Sequence, residues 1–269
     1  MAAISYIITT CNRPQSLLNQ AMQSIVAERL SGESELIIVD DCSNEPPVLP
    51  PAIVSALEGQ ARLLRNAQNE GVIKSRNIGL MAAQYEYVLF LDDDDVSYPN
   101  RSRDLLAVIE GTSHAFVAGR IRLFDDANQY RVVPAQYDLP LSPFRYLCNL
   151  AHINAVMWRR RALLEINGFD NRVPYFGEHI TMLLLLLRGN TAGQIGAIVA
   201  QFQPITGGLT LVSRHHNLIK QYFIELFRIL LDEPLPADFR QVCAEAQLFL
   251  RQRTCVSVDE MLDYLKNLP

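Results

Sequence analysis

The first half of the chain alternates between continuous apolar runs and segments of helical periodicity. The runs Ile4–Thr10 and Tyr87–Leu91 contain β-branched and aromatic residues, which is typical of buried strands. Between them, Pro14–Leu30 has apolar residues at i, i+4 spacing and is predicted to be a helix with one apolar face. Strands of this kind that alternate with helices favour a parallel sheet covered on both faces. The other elements predicted in this half are strands Leu36–Val39 and Arg62–Leu64 and helices Ala52–Glu58 and Val72–Ala83.

The pattern is less regular in the middle of the chain and becomes helical from about Asn217 onward. The strands predicted in the middle are Ala115–Phe124, Arg131–Val133 and Ile153–Trp158, and the helices are Arg159–Asn167 and one around Met182–Leu187. The helices predicted at the end are Leu218–Leu231, Asp238–Arg251 and Val258–Leu268. We therefore expect an α/β unit over residues 1–214 and a helical C-terminal extension over residues 215–269. Apolar stripes on the last helices predict that they pack on the α/β unit.

Composition and charge exclude several classes of protein. The chain is 49% hydrophobic and 20% charged, which is ordinary for a globular protein. Its net charge is −5 and it has no basic stripe, so we expect no nucleic-acid partner. We see neither a signal peptide nor an apolar run of about 20 residues, and therefore expect no transmembrane segment. Five scattered cysteines are predicted to be free thiols in a reducing compartment, which indicates a cytoplasmic protein.

Hydrogen-bonding and acidic side chains follow three of the predicted parallel strands. Thr9, Thr10, Cys11, Asn12 and Arg13 end the first strand, Asp40 and Asp41 end the second, and Asp92–Asp95 follow Leu91. Because ligands of open α/β sheets bind outside the carboxyl ends of the strands, these three groups predict a binding site there.

The aspartate run Asp92–Asp95 places four carboxylates that repel one another at the end of an apolar strand. Side chains two apart in an extended chain point the same way, so Asp92 and Asp94 are predicted to face one ligand. Carboxylate oxygens suit Mg²⁺ or Mn²⁺, and an ion held by one or two carboxylates keeps positions open for a diphosphate. The alternative is a solvated acidic turn, or acids that favour the start of a helix near Pro99.

A second candidate for anion binding is the segment Asn69–Gly79. Gly71 and Gly79 permit close approach of the backbone, and Lys74 and Arg76 bring positive charge to the start of a helix. The segment lacks the spacing of a P-loop, and an ordinary surface helix with basic residues is the alternative.

Five segments in order resemble the motifs of family-2 nucleotide-sugar glycosyltransferases with a GT-A fold. These segments are IITTCNRP, IIVDDCS, NEGVIKSRNIGL, LFLDDDD and NAVMWRRRALLEINGFD, and they extend over about residues 1–190. The resemblance implies a mainly parallel central sheet flanked by helices, with a nucleotide-binding half at 1–100 and an acceptor-side half at 101–214. It also implies inverting, metal-dependent transfer from a nucleoside diphosphate sugar, with UDP as the default nucleotide. The implied acceptor is a glycan or lipid-linked hydroxyl in polysaccharide assembly.

The resemblance also assigns roles on the donor side. Thr9, Asp40 and Arg76 match positions at the nucleotide base, and Arg13 belongs to the nucleotide-binding turn. Asp93 matches a ribose or metal contact, Asp94 a direct metal ligand, and Asp92 the other acid of the DxD motif. Cys11 occupies a nucleotide-binding position where the family often has an aromatic residue that stacks on the base, a contact worth about 1–3 kcal/mol.

The family takes its general base from a Glu-Asp pair, whereas this chain has Glu178-His179. A histidine of ordinary pKa accepts a proton at neutral pH, so His179 is slightly preferred over Glu178 as the catalytic base. The alternative is that the pair only caps the following helix. His215 is the candidate for a third metal ligand, as an alternative to a surface position.

Two other functions fit parts of the sequence. The spacing of Asp92, Asp94 and Val96 also fits a haloacid-dehalogenase-type phosphohydrolase, although that motif normally lies on the first strand of its domain. Cys11 and His179 also fit a catalytically impaired subunit that binds nucleotide or glycan. For the C-terminal helices, a homodimer contact or a membrane that carries the acceptor is the alternative to packing on the α/β unit.

Overall fold

A computed structural model describes residues 2–28, 33–124, 130–133, 151–173, 177–202, 216–235 and 237–253. The strands are β1 (Ile4–Thr10), β2 (Ser34–Asp40), β3 (Ala61–Arg65), β4 (Tyr87–Asp92), β5 (Val96–Ser97), β6 (Phe116–Phe124), β7 (Tyr130–Val133), β8 (Val156–Arg159) and β9 (Ala192–Gln201). The helices are α1 (Gln15–Val26), α2 (Pro51–Ala56), α3 (Val72–Ala82), α4 (Arg101–Ile109), α5 (Arg160–Glu165), α6 (Gly177–Leu187), α7 (His216–Asp232) and α8 (Ala237–Arg251).

The strands form one sheet in the order β3-β2-β1-β4-β8-β6-β9-β5, and β7 pairs with β6. The four strands from β3 to β4 are parallel, as predicted. Beyond β4 the sheet is mixed, because β8 runs antiparallel to both of its neighbours while β9 runs parallel to β6. The expectation of a mainly parallel sheet therefore describes the first half of the chain, where each crossover contains a helix.

Both faces of the sheet are covered by apolar side chains. On β1, Tyr6 and Ile8 pack into a cluster with α1 and α4, whereas Ile7 packs on the other face with α3 and α6. Strand side chains alternate between the two faces of a sheet, so a strand with apolar residues at successive positions must be covered by other elements on both faces. Trp158, expected in the core, is fully buried in the second of these clusters.

The two C-terminal helices pack on α6, as their apolar stripes predict. A third apolar cluster joins Ile180 and Leu183 of α6 to Leu226 and Phe227 of α7 and to residues of α8. At the end of α7, Glu233 accepts a hydrogen bond from Arg188 at 3.1 Å. Among the helices that the structure describes, none combines the length and apolar character needed to cross a bilayer.

Four parts of the secondary structure differ from the sequence prediction. Helix α4 and strands β5 and β9 were not predicted. The predicted strand Ile153–Trp158 begins as a 3₁₀ turn, Ile153–Ala155, and becomes extended only at Val156. The helix predicted at Val258–Leu268 lies outside the described residues.

Candidate active site

The pairing of β1 with its two neighbours brings the predicted strand ends together. Thr9 lies opposite Asp92 of β4, and Thr10 lies opposite Asp40 of β2. Parallel strands end at the same edge, so the polar side chains that follow β1, β2 and β4 share one rim of the sheet.

One arginine spans two of the four aspartates. Arg13 donates from Nε to Asp93 Oδ1 at 2.8 Å, and its Nη2 lies 3.0 Å from Asp94 Oδ2. The other oxygen of Asp93 accepts a hydrogen bond from Thr10 Oγ1 at 2.6 Å. The Asn-Arg turn after β1 and the acidic turn after β4 are therefore joined by charge-assisted hydrogen bonds.

A second arginine connects the aspartate run to Glu178, one of the two candidate bases. Arg76 is buried and donates from Nη2 to Asp92 Oδ1 at 2.7 Å and from Nη1 to Glu178 Oε2 at 3.2 Å. These residues come from α3, β4 and α6, which are separated in sequence by up to 102 positions. The fold thus places Glu178 one guanidinium group away from the DxD motif.

The environment of the aspartate run shifts the pKa of three carboxyl groups. Burial, and then the charges of Asp92 and Asp93, raise the pKa of Asp94 to about 7, while Arg13 opposes the shift. Burial also raises the pKa of Asp93. Burial acts in the same direction on Asp92, but Arg76 and His152 outweigh it and hold its pKa below the usual value. Such crowding of negative charge is what a bound divalent cation would relieve.

The acids after β2 have partners of a different kind. Asp40 is fully buried, accepts a hydrogen bond from Ser43 N at 3.0 Å and pairs with Arg65. Its predicted contact with the nucleotide base stays a prediction.

Asp41 supports the start of α3. One of its oxygens accepts hydrogen bonds from Asn66 Nδ2 at 2.8 Å and Glu70 N at 2.7 Å, and the other accepts from Gly71 N at 2.8 Å. The φ angle of Gly71 is 86°, in the left-handed region that favours glycine. Asp41 is therefore a structural acid that fixes the loop leading to Arg76.

Cys11 lies between the first two strand ends and is half-buried. Its Sγ accepts a hydrogen bond from Asn69 Nδ2 at 3.3 Å, and burial together with Asp41 raises the pKa of its thiol. Cys11, Cys42 and Cys243 are free thiols, as predicted for the cysteines that fall among the described residues.

Two half-buried imidazoles, His152 and His179, lie near Glu178 and Asp92. Desolvation lowers the pKa of His179 to about 4, with Glu178 opposing the shift. Desolvation likewise lowers the pKa of His152, whose Nδ1 accepts a hydrogen bond from Asn154 N at 3.4 Å. The ring of His179 is therefore neutral at pH 7.

An amide clamp ties α3 to the segment that precedes α6. Asn77 donates to Phe169 O at 2.9 Å and accepts from Phe169 N at 2.8 Å. Gly168 has a φ of 81°, and a Cβ atom there would collide with Asn77 Oδ1. Asn77 follows Arg76 directly, so the clamp fixes α3 beside the chain that leads to Glu178.

The residues present fit a divalent cation. Asp92 and Asp94 supply hard oxygen donors, as Mg²⁺ and Mn²⁺ require. A second group consists of Asp92, Asp95 and His152, whose potential ligand atoms all lie within 4.8 Å of one another. Asn154 already bonds to Asp95 and His152, so this group is held together without an ion. His215 lies outside the described residues, and its predicted role as a ligand stays a prediction.

The sequence profile of glycosyl transferase family 2 matches residues 5–165, which is more than half of the chain. The chain belongs to glycosyl transferase family 2. The matched region of the chain extends from the start of β1 to the end of α5 and includes the aspartate run, Arg13 and Arg76.

A curated relative from Escherichia coli supports this family assignment. Over 141 residues the chain is 34% identical to WcaA of Escherichia coli, whose name refers to colanic acid biosynthesis; the match extends over 52% of this chain and 48% of WcaA. The chain thus spans about half the length of that family 2 relative.

Two solved structures have the same fold. S. aureus TarS 1–349 in complex with UDP-GlcNAc superimposes with a TM-score of 0.67 at 17% identity, over 99% of this chain and 81% of that one. The mannosyltransferase PcManGT from Pyrobaculum calidifontis, in complex with GDP-Man and Mn²⁺, gives a TM-score of 0.65 at 15% identity, over 92% and 69%. At these identities the likeness shows the GT-A fold, as the resemblance implied.

One residue of the family 2 site was not predicted. Asn154 accepts the backbone N–H of Asp92 at 3.0 Å and donates to Asp95, so it holds both ends of the acidic turn. The signal was present, because Asn154 is a polar residue within an otherwise apolar segment, Ile153–Trp158. Its partners are 59 and 62 positions away, so the sequence alone could not assign them.

Proposed function

We propose that this chain transfers a sugar from a nucleoside diphosphate sugar to a hydroxyl acceptor, with inversion, in the assembly of a polysaccharide or related glycan. The observation that carries the proposal is the chain of contacts from Asp92 through Arg76 to Glu178. In this chain of contacts, Asp92 is suited to bind a metal ion, Arg76 is suited to bind a diphosphate, and Glu178 is a candidate base. The name of WcaA supports the setting, and the acceptor is proposed to be a glycan or lipid-linked hydroxyl.

Asp92 and Asp94 are proposed to hold Mn²⁺ or Mg²⁺, with His215 as a third ligand. When bound, the ion supplies electrostatic stabilisation of the negative charge that grows on the leaving diphosphate. The TarS complex with UDP-GlcNAc favours UDP as the nucleotide, and PcManGT with GDP-Man and Mn²⁺ favours manganese. For nucleotide binding we propose Thr9, Cys11, Arg13, Asp40, Arg76, Asp92 and Asp93.

Glu178 is proposed as the general base. It takes the proton of the acceptor hydroxyl, the oxygen attacks the anomeric carbon, and the bond from that carbon to the diphosphate oxygen breaks. The geometry favours Glu178 over His179, because Glu178 shares Arg76 with Asp92 and thus lies beside the donor acids.

The test is a thermal-shift panel with UDP, GDP and their sugars, with and without Mn²⁺, followed by a transferase assay on the donor that stabilises most. A ligand at 100 times its Kd stabilises the folded state by about 2.7 kcal/mol, so one plate ranks the donors. We expect UDP to stabilise only with Mn²⁺, and Asp94→Ala to abolish this dependence. Equal stabilisation with and without Mn²⁺ would contradict the metal role.

A second candidate is a family member that binds nucleotide without transfer. It is favoured by the half-buried, neutral His179 in the position where the family usually has an aspartate. Such a protein would bind UDP with Mn²⁺ yet hydrolyse no UDP-sugar during long incubation. Because the chain belongs to family 2, the alternative interpretation of Asp92 and Asp94 as part of a phosphohydrolase motif has no support.

A further inference from the structure

Arg13 holds two neighbouring aspartates in unequal ways. Its Nε donates to Asp93 at 2.8 Å, and its Nη2 lies 3.0 Å from Asp94. Asp93 has 5% of its surface exposed and has a second partner in Thr10, whose hydroxyl donates at 2.6 Å. The Nε end of the guanidinium group is therefore anchored to a carboxylate that is itself held in place.

The Nη2 end is held much less firmly. Among the described residues, Asp94 has Arg13 as its one ion-pair partner. The Asp94 side chain is 14% exposed, against 7% for Asp93, so Asp94 is the more accessible of the two. The structure thus separates a fixed pair, Arg13 with Asp93, from an exchangeable pair, Arg13 with Asp94.

We propose that Arg13 occupies the place of the divalent cation on Asp94 until metal and donor bind, and that its Nη2 group then turns to the donor diphosphate. This inference rests on the proposed function, since it requires that Asp94 bind a metal. A guanidinium group and a metal ion on the same carboxylate carry like charges that repel at short range, so each weakens the binding of the other. Arg13 therefore opposes the metal when no donor is present.

When the donor is present, Arg13 favours binding instead of opposing it. A nucleoside diphosphate brings negative oxygens close to both the ion and the released Nη2 group, and charge-assisted hydrogen bonds to phosphate are strong. Because Nε stays on Asp93, the guanidinium group needs only to rotate about its anchored end. Arg13 is thus expected to weaken the binding of metal alone and to strengthen the binding of nucleotide once metal is present.

The experiment compares Arg13→Met with the wild type by calorimetry, first with Mn²⁺ alone and then with UDP at saturating Mn²⁺. We expect Arg13→Met to bind Mn²⁺ about 10-fold more tightly and UDP about 10-fold more weakly, which corresponds to one strong charge-assisted bond in each case. The control is Arg161→Met, which removes the same charge from a side chain that is 84% exposed and pairs with Glu165. It should change neither affinity more than about 2-fold.

Opposite signs separate this role from a structural one, because a variant that only loosens the site would weaken both affinities. Arg13→Lys serves if the methionine variant does not fold: one ammonium cannot bridge both carboxylates as the fork does, so we expect smaller changes with the same signs. Unchanged or weaker Mn²⁺ affinity in both variants, with metal-dependent UDP binding intact in the wild type, would overturn the inference and leave the proposed function standing. Absence of metal-dependent UDP binding in the wild type would overturn both.

Discussion

On the proposed donor side of the site the charges are paired, since Asp93 and Asp94 face Arg13 and Asp92 faces Arg76. On the proposed acceptor side, desolvation keeps the imidazole of His179 neutral at pH 7. The donor side thus has several carboxylates paired with arginines, whereas Glu178 on the acceptor side shares Arg76 with Asp92.

This difference follows from what each side is proposed to bind. A diphosphate and its metal bring large charges, and a site for them needs charged groups that can exchange partners. A sugar hydroxyl is neutral until its proton leaves, so the acceptor side needs a single proton acceptor in a poorly solvated setting. The four predictions that follow test the two sides in order of expected effect.

The largest effect is expected on the acceptor side. Glu178→Gln keeps the size of the side chain but removes the proton acceptor, so transfer should fall by about 10²–10⁴-fold. UDP binding in the presence of Mn²⁺ should remain within about 3-fold, because the donor groups are intact. The matched variant His179→Gln should lose less than about 10-fold of the rate. If His179→Gln lowered the transfer rate more than Glu178→Gln, His179 would be the base and the contrast between the two sides would disappear.

On the donor side, Asp94→Asn should lower transfer by about 100-fold through loss of a metal ligand. Thermal stabilisation by UDP should become independent of Mn²⁺ in this variant. Asp104→Asn is the control, since Asp104 bonds to Asn100 and Arg103 on α4 and carries no proposed role. Retention of the manganese dependence by Asp94→Asn would show that the ion is held elsewhere.

Not every acid on the donor side belongs to the site. Asp41→Ala should lower the free energy of unfolding by about 2–4 kcal/mol, because it leaves the N–H groups of Glu70 and Gly71 without their charged acceptor. Urea denaturation measures this loss. Asp94→Asn should cost no stability in the same assay, since it relieves repulsion within the aspartate run. Similar losses from both substitutions would remove the distinction between structural and functional acids.

The effect that is smallest at neutral pH is that of His179, which grows only as the pH falls. Unfolded His179 binds a proton near pH 6.5 but the folded residue only near pH 4, so it contributes a loss of stability as pH falls through this window. By pH 4 the loss reaches about 3 kcal/mol, and above pH 7 it vanishes. The wild type should therefore lose this amount relative to His179→Gln when unfolding is measured at pH 7 and pH 4. Parallel stability curves would show that the ring is charged or exposed.

The parallel half of the fold and its acidic rim were predictable because their signals are local. Four apolar runs and the residues directly after them are visible in the sequence, and the parallel pairing of β1 with β2 and β4 follows from the helices between them. Strand β9 was missed because Ala192–Gln201 contains three alanines and two glycines, so its pairing with β5 and β6 determines that it is a strand. Helix α4 begins with the charged stretch Arg101–Asp104 and has a short apolar face.

The sequence could not distinguish the two acidic strand ends. Asp40-Asp41 and Asp92–Asp95 both follow apolar runs, and their difference depends on partners supplied by other elements. Arg65 at the end of β3 pairs with Asp40 and the N–H groups of Glu70 and Gly71 bind Asp41, while Arg13 and Arg76 reach the second group from the loop after β1 and from α3. Tertiary contacts of this kind determine which acids are free to exchange partners.

The amide clamp between Asn77 and Phe169 has a mechanical consequence. Asn77 bonds to both the C=O and the N–H group of Phe169, as a neighbouring strand would, so α3 and Phe169 are held together. Arg76 precedes Asn77 on α3 and bonds to both Asp92 and Glu178. If binding of the proposed donor rotates α3, we therefore expect Glu178, the proposed base, to move with it.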